Sequence, residues 1–388
     1  MKAVHILFAH NEYGAPSGEE QAVDSISRLL ESKGHTVFRL LRTSSGIEGF
    51  GQKVRAFFSG MYSLEARQWM SHTLDEHHPN VVQVQNLYPY LSPSIFKPCR
   101  QRGVPIVMRC PNYRLFCPSA LHLSHGRICE RCLGGKEYWC VLRNCENDMF
   151  KSLGYALRNA VARISRSILD NVSIFIVLSQ FQKQRFIQAG IPAQKLEILP
   201  NMAPQITGAS TEQLGEFVTF VGRASPEKGI GDFVAAARRL PDLPFIVAGD
   251  TDRVPELVAS SPPNVRWLGF LKKKELTEVY VRSRLLVFPF RWFEGFPNVI
   301  THAMVLQRPV LAARIGAVPE IVDDGRTGLL FEMGNIEDLV VKLRTLYDDP
   351  ARCREMGIAG RAKALSAYGP EVVYIRLMQI YHQALTNA

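Results

Sequence analysis

Glu294 is an acid in a setting that gives it something to do. It opens EGFPNVITHAM (294–304), after the apolar run Leu285 to Phe288 and before a stretch that lacks Gly and Pro beyond Pro297. The spacing predicts strand, loop, helix. Proline suits a first helical turn, where its missing N–H costs nothing, so the amides of Phe296 to Val299 should face the sheet end and favour an anion. A phosphate would fit there, with Glu294 against the neutral, hydroxyl-rich part of the same ligand. Read alone, Glu294 could simply be an acid that stabilises a helix N-terminus through its dipole.

Arg223 and Lys228 carry the complementary charge. They flank the turn GRASPEKGI (222–230), which follows the expected strand Phe217 to Val221. Open α/β sheets bind ligands at the carboxyl ends of their strands, and two cations there could neutralise a diphosphate. Singly, each could be a solvated surface charge. Together with the helix start at Pro297 they offer a leaving nucleoside diphosphate fixed positive charge where negative charge develops.

A third group of reactive side chains lies in residues 109–145. Cys117, Cys129 and Cys132 follow C-x11-C-x2-C, with Cys140 and Cys145 as candidates for a fourth ligand and His122 and His125 nearby. A Cys-x-x-Cys turn can present two thiolates to a tetrahedral zinc, and a long loop without its own core gains most from such a staple. The alternative is reduced thiols packed under the loop. A closed, thiolate-rich set does not suit catalytic zinc.

The elements that must position these groups follow from composition and pattern. The chain has 388 residues, 46% hydrophobic and 21% charged, which suits two domains with full cores. Its charge of +10 is uneven: residues 1–200 hold 24 Lys and Arg against 15 Asp and Glu, residues 201–388 hold 22 against 21. Such an excess attracts nucleic acid, an anionic membrane face or a phosphorylated substrate, or is spread-out surface charge. The basic residues lack the aromatic interleaving of a nucleic-acid module, so no nucleic-acid partner is expected. No apolar run reaches the length of a spanning helix, and the N-terminal run is too short for a signal peptide. A cytoplasmic location and reduced cysteines are the expectation.

Along the chain, Ala3 to Ala9 reads as a strand, a loop with Gly14 and Gly18 follows, and Glu19 to Ser32 reads as a helix. Those glycines could let backbone approach a ligand, or could be plain turn residues. Strands are predicted at 37–41, 81–85, 105–108, 174–178 and 196–199, with helices over 55–77, 92–102, 149–169 and 179–189. Residues 200–215, with Pro200, Pro204 and Gly208, read as a linker. The alternation then restarts at 217–221, 245–248, 265–271, 285–288, 310–313 and 328–331. Parallel sheets covered on both faces are predicted in two α/β halves with a cleft between them.

Six segments in this order, HNEYGAPSGEE (10–20), NLYPYLSP (86–93), NYRLFCP (112–118), GRASPEKG (222–229), EGFPNVITHAM (294–304) and IGAVPEIVDDGRTGLLF (315–331), resemble the family 4 retaining glycosyltransferases of the group 1 type. The resemblance implies the GT-B fold, two Rossmann-like domains: an acceptor domain over 1–200 with the Cys-rich insertion 109–145, completed by a C-terminal helix from Pro370, and a nucleotide-sugar domain over 201–369. It implies donor contacts from Gly18, Gly222, Arg223, Lys228, Glu294, Gly295, Phe296, Pro297, Asn298, Val299 and His302. Glu294, Arg223 and Lys228 take the catalytic roles. It also implies metal-independent transfer with retention, from a UDP- or GDP-linked sugar to a glycan or lipid-diphosphate-linked acceptor, in surface polysaccharide or glycoconjugate synthesis. Zinc would be structural only, and the basic first half would suit the inner face of an anionic membrane. A non-catalytic nucleotide- or glycan-binding partner and a nucleotide-sugar epimerase are the alternatives.

The sequence departs from the family pattern at four places. His302 stands where the second acid of the paired-acid motif falls, eight positions after Glu294, and a neutral His accepts one hydrogen bond where a carboxylate accepts several. Cys110-Pro111 precedes Asn112 where a histidine is usual, Gln85-Asn86 replaces His-Asn, and Ser17 stands for a second glycine.

Overall fold

The computed structural model describes residues 3–12, 18–43, 57, 59–206, 208 and 213–387. The chain divides into two compact units. One takes in residues 1–124, 129–202 and 370–388, the other residues 203–369 with 125–128.

The first unit carries strands β1 (His5–Glu12), β2 (Thr36–Thr43), β3 (Val81–Asn86), β4 (Ile106–Arg109), β7 (Ile174–Val177) and β8 (Leu196–Ile198); the Cys-rich segment between β4 and β7 holds a short hairpin, β5 (Leu123–Ser124) and β6 (Arg127–Ile128). The first six form one parallel sheet in the order β2-β1-β3-β4-β7-β8. The inner strands β3, β4 and β7 are buried along their whole length, as in a parallel sheet covered on both faces, with Gln83, Gln85, Asn86 and Arg109 as buried polar residues among them. The predicted helix over 55–77 is interrupted: residues 57 and 59–61 are helical, 62 and 63 are not, and a new helix starts at Leu64, because Ser63 is extended and its hydroxyl accepts from the Ala66 amide. Residues 55, 56 and 58 lie outside the described residues. The predicted helix over 92–102 is a 3-10 turn, Pro93–Ile95, followed by one short helix, Phe96–Gln101.

The C-terminal helix Pro370–Thr386 belongs to this unit. Val373, Leu377, Ile380, Tyr381 and Ala384 share one core cluster with Ile6, Phe8, Ile26, Leu30 and Val81. Polar ties fix its rotation: Tyr374 Oη lies 2.9 Å from His35 Nε2, and the Tyr381 hydroxyl donates to Gln83 Oε1.

The second unit carries β9 (Phe217–Val221), β10 (Phe245–Ala248), β11 (Val265–Trp267), β12 (Ser283–Phe288), β13 (Val310–Ala313) and β14 (Gly328–Phe331), parallel throughout, in the order β11-β10-β9-β12-β13-β14. The chain winds outward from β9 in one direction, then returns to β12 beside it and winds the other way. Loops after two such adjacent strands leave the sheet toward opposite faces and open a crevice between them. In this unit those loops are 222–229, after β9, and 289–297, after β12. Among the described residues no helix is long and apolar enough to cross a membrane.

Candidate functional site

The two loops at the β9/β12 switch point bring together the charged residues that are distant in sequence. The Lys228 ammonium donates to Glu294 Oε1, and the Trp292 indole N–H donates to the same oxygen at 3.0 Å. Lys228 also lies 5.0 Å from the centre of the Trp292 ring and 5.4 Å from that of Phe290. An ammonium held between two aromatic faces and a carboxylate has little rotational freedom. Trp292 carries no sequence signal other than its place two residues before Glu294, and sequence reasoning passed over it.

Side-chain and backbone ties lace the loops to each other. Arg291 binds Asp232 through two parallel hydrogen bonds of 2.7 and 2.6 Å, and the Arg291 amide donates to the Glu227 carbonyl at 3.0 Å. Gly229 has φ +77°, and a Cβ there would stand 1.7 Å from the Pro289 carbonyl oxygen, so only glycine lets the two backbones approach. From the next loop, the Ala317 amide donates to the Glu294 carbonyl at 3.4 Å.

Arg223 takes a different partner from Lys228. Its guanidinium pairs with Glu227 at 3.1 Å, with Arg253 3.9 Å from the same carboxylate. Burial alone would raise the Glu227 carboxyl, yet its own backbone amide, Ser225, Arg223 and Arg253 hold it below the usual range. Arg223 therefore stays half exposed at the loop rim while Lys228 is drawn in.

The helix after β12 runs Asn298–Val305, with Pro297 at the N-cap position, one place before the expected first turn, and no side chain capping it. Such an end offers backbone amides and positive dipole to an anion. The Phe296 side chain is buried edge-on against Tyr368, 5.0 Å between centroids, so this residue can offer a ligand only its backbone. His302 sits one turn into the helix, its Nδ1 2.8 Å from the Asn298 carbonyl oxygen and its ring stacked on Tyr280. A carbonyl only accepts, so Nδ1 holds the proton and Nε2 is left as the acceptor. Burial pushes the His302 pKa down, against the Asn298 hydrogen bond and with the help of Lys273, so the ring is neutral at pH 7.

In the first unit, Gly18 is the first residue of the helix Gly18–Ser32, and residues 13–17 before it lie outside the described residues. A small cavity at the carboxyl ends of β3 and β4 is lined by Glu19, Gln85, Asn86, Arg109, Asn112 and Arg114. Arg109 is buried, donates through Nη2 to Asn201 at 2.5 Å, and has no hydrogen-bond partner at Nη1. Burial brings its pKa down to about 10. A buried guanidinium short of a partner asks for an acceptor. Sequence reasoning took Arg109 as the residue after a strand; a cation closing an otherwise apolar run, PIVMR, was the signal available.

Cys117, Cys129, Cys132, Cys140 and Cys145 form no disulfide. Among the described residues no three His, Cys, Asp or Glu side chains group around a point that a metal ion could fill. Cys117 Sγ lies 3.4 Å from the Ser119 hydroxyl and Cys145 Sγ 3.6 Å from that of Ser124, while burial pushes the Cys132 thiol up to about 12. Aromatic packing and polar ties also hold the segment. Tyr113, Phe116, His122 and Phe186 pack ring on ring, and Arg163–Glu137 and Asn159 to the Arg114 carbonyl tie the segment to the helix Met149–Ile164.

Residues 215–349, which span the whole β9/β12 site, match the family described as Glycosyl transferases group 1. Alpha-maltose-1-phosphate synthase of Mycolicibacterium smegmatis is 31% identical over 184 residues, 43% of this chain and 47% of that protein. The chain spans about half the length of that relative. Sucrose-phosphate synthase of Thermosynechococcus elongatus superposes with a TM-score of 0.72 at 16% identity, covering 99% of this chain and 100% of the other. HepE of Anabaena, solved in complex with UDP-glucose, superposes with a TM-score of 0.63 at 19% identity, covering 99% and 100%. These likenesses show the fold, two Rossmann-like units of the GT-B type.

Proposed function

We propose that this chain, whose residues 215–349 are a group 1 glycosyltransferase domain, moves a sugar from a nucleotide-sugar donor to a hydroxyl of a glycan or lipid-linked acceptor. The observation that carries the proposal is the meeting of Lys228 and Glu294 beside the uncapped start of the helix Asn298–Val305, at the carboxyl ends of β9 and β12. Donor diphosphate goes to Lys228, Arg223 and the helix start. Lys228 is then shared with a stronger anion, and Glu294 is released toward the sugar hydroxyls. HepE's complex with UDP-glucose makes a uridine diphosphate sugar the first donor to test; GDP sugars are the second.

The transfer is proposed to be retaining and metal-independent. The bond between the anomeric carbon and the phosphate oxygen breaks with its electron pair going to phosphate. The acceptor oxygen bonds to the same face of that carbon, and its proton passes to the leaving phosphate. Fixed cations at the diphosphate lower the barrier because the charge they meet grows as the bond breaks. The acceptor side is proposed to be the cavity near Arg109, and the setting the cytoplasmic face of an anionic membrane, in assembly of a surface polysaccharide or other glycoconjugate.

The test is nucleotide release from a panel of UDP and GDP sugars, with and without acceptors, in the presence of EDTA. Slow donor hydrolysis that Glu294→Gln lowers about a hundredfold is the expected result. His302, in the position of the family's second acid, favours a second reading, a binding protein without turnover. Nucleotide binding with no release from any donor would establish that reading and overturn the first.

A further inference from the structure

The helix Met149–Ile164 is built inside out. Its buried positions are small or polar, Ser152, Gly154, Ala156, Arg158 and Asn159, while its large apolar side chains face outward. Phe150 is 86% exposed, Ile164 72%, and Met149, Leu153, Leu157 and Val161 are exposed beside them. At about 100° per residue these six fall within about a third of the helix circumference. Lys151 and Arg163 lie on either side of that stripe, each paired to an acid, Glu146 and Glu137, at 2.7 Å. The short helix Tyr138–Leu142 packs against this one and adds Leu142, 69% exposed, and Tyr138.

A contiguous apolar stripe of this size on a soluble surface marks a place where something else binds. Charge decides what. Over residues 129–166, which carry the two helices, the chain holds seven Lys and Arg, of which only Arg158 is buried, against four Asp and Glu. A protein partner for a net basic face would have to be acidic and apolar together, whereas an anionic bilayer presents negative headgroups over hydrocarbon. We infer that the helix Met149–Ile164 lies in the headgroup plane of an anionic membrane, its stripe from Met149 to Ile164 among the acyl chains and the basic residues around it on the lipid phosphates. This deepens the membrane setting proposed above. Vesicle binding is read without donor or acceptor, so a failure of glycosyl transfer leaves the inference standing, and the reverse holds too.

The experiment is co-sedimentation of the full chain with vesicles of phosphatidylcholine alone and with phosphatidylglycerol at about one third of the lipid. Binding to the anionic vesicles, several-fold stronger than to the neutral ones, is expected. Phe150→Glu with Leu157→Glu should weaken it more than about tenfold, since a charge replaces each of two inserted apolar groups. If that pair fails to fold, Phe150→Ala with Ile164→Ala is read instead, with a loss of several-fold. Wild-type protein left in the supernatant overturns the inference, as do variants that bind like wild type. Sedimentation velocity without lipid covers the remaining outcome: a wild-type dimer that the Glu variants turn into monomers makes the stripe an interface between two copies and also overturns it.

Discussion

The loops of the β9/β12 switch point and the Cys-rich segment after β4 both leave the carboxyl end of a parallel sheet, and both use ion pairs, Arg163–Glu137 and Arg185–Glu130 in the second, but they differ in how tightly backbone meets backbone. At β9/β12 the charged side chains answer one another: Lys228 with Glu294, Arg291 with Asp232, Arg223 with Glu227. Gly229 lets one backbone press on the next. The Cys-rich segment keeps irregular backbone, with Ala120, His122, His125 and Asn144 at positive φ, and Arg109 at its root lacks a partner at Nη1. The first region is fixed before any ligand arrives. The second keeps a charge in reserve at Arg109 Nη1.

Glycine substitution breaks this comparison most sharply. Gly229→Ala puts a Cβ 1.7 Å from the Pro289 oxygen at a φ of +77°, and about 4 kcal/mol of stability should be lost as the two loops part. Gly134 in the Cys-rich segment has nearly the same φ, +71°, with nothing near its Cβ position. Gly134→Ala should therefore cost only the left-handed backbone penalty, about 1 kcal/mol. Urea unfolding of both variants measures the difference. Equal costs would mean that the switch-point loops are no more tightly packed than the segment.

Arg109 comes next. A buried cation with one nitrogen unpaired adds little to stability, because its desolvation offsets what Asn201 returns. Arg109→Met should leave stability within about 1 kcal/mol of wild type. If Arg109 serves the acceptor, the KM for acceptor should rise about tenfold or more while acceptor-free donor hydrolysis stays unchanged. A variant that unfolds easily and keeps its acceptor KM would make Arg109 a structural residue and remove the reserve charge from the comparison.

What the sequence made legible follows the same division. Strands β9, β10, β13 and β14 read correctly at both ends because each is a short, mainly apolar run with Gly, Pro or a charge at or next to its ends. Glu294, Arg223 and Lys228 could be singled out from their loops. Their pairing could not, since Lys228 and Glu294 lie 66 residues apart and meet only because β12 returns beside β9. The sequence also could not tell that Arg223 turns to Glu227 instead. In the first unit, helical periodicity ran through Ser63, where a side-chain cap interrupts it. The cysteine spacing suggested a ligand set, while the aromatic cluster that packs the segment has no periodicity to betray it.

The smallest effect concerns His302. With Nδ1 donating to Asn298 and a pKa pushed below its ordinary 6.5 by burial, the ring is neutral when folded and binds a proton more readily when unfolded. The unfolded chain therefore takes up more protons as pH falls below about 6.5. The stabilising contribution is complete above that value and is lost as pH drops through the lower, folded pKa. His302→Phe keeps a ring to stack on Tyr280 and removes the titration. Between pH 7.5 and 4.5 the wild type should lose more stability than this variant, read from urea unfolding at each pH. Nucleotide affinity should stay level through pH 6.5, because Nε2 remains an acceptor until the folded pKa is reached. Parallel stability curves for the two proteins would mean that His302 gains or loses its proton as freely folded as unfolded, and the acceptor role of Nε2 would lose its basis.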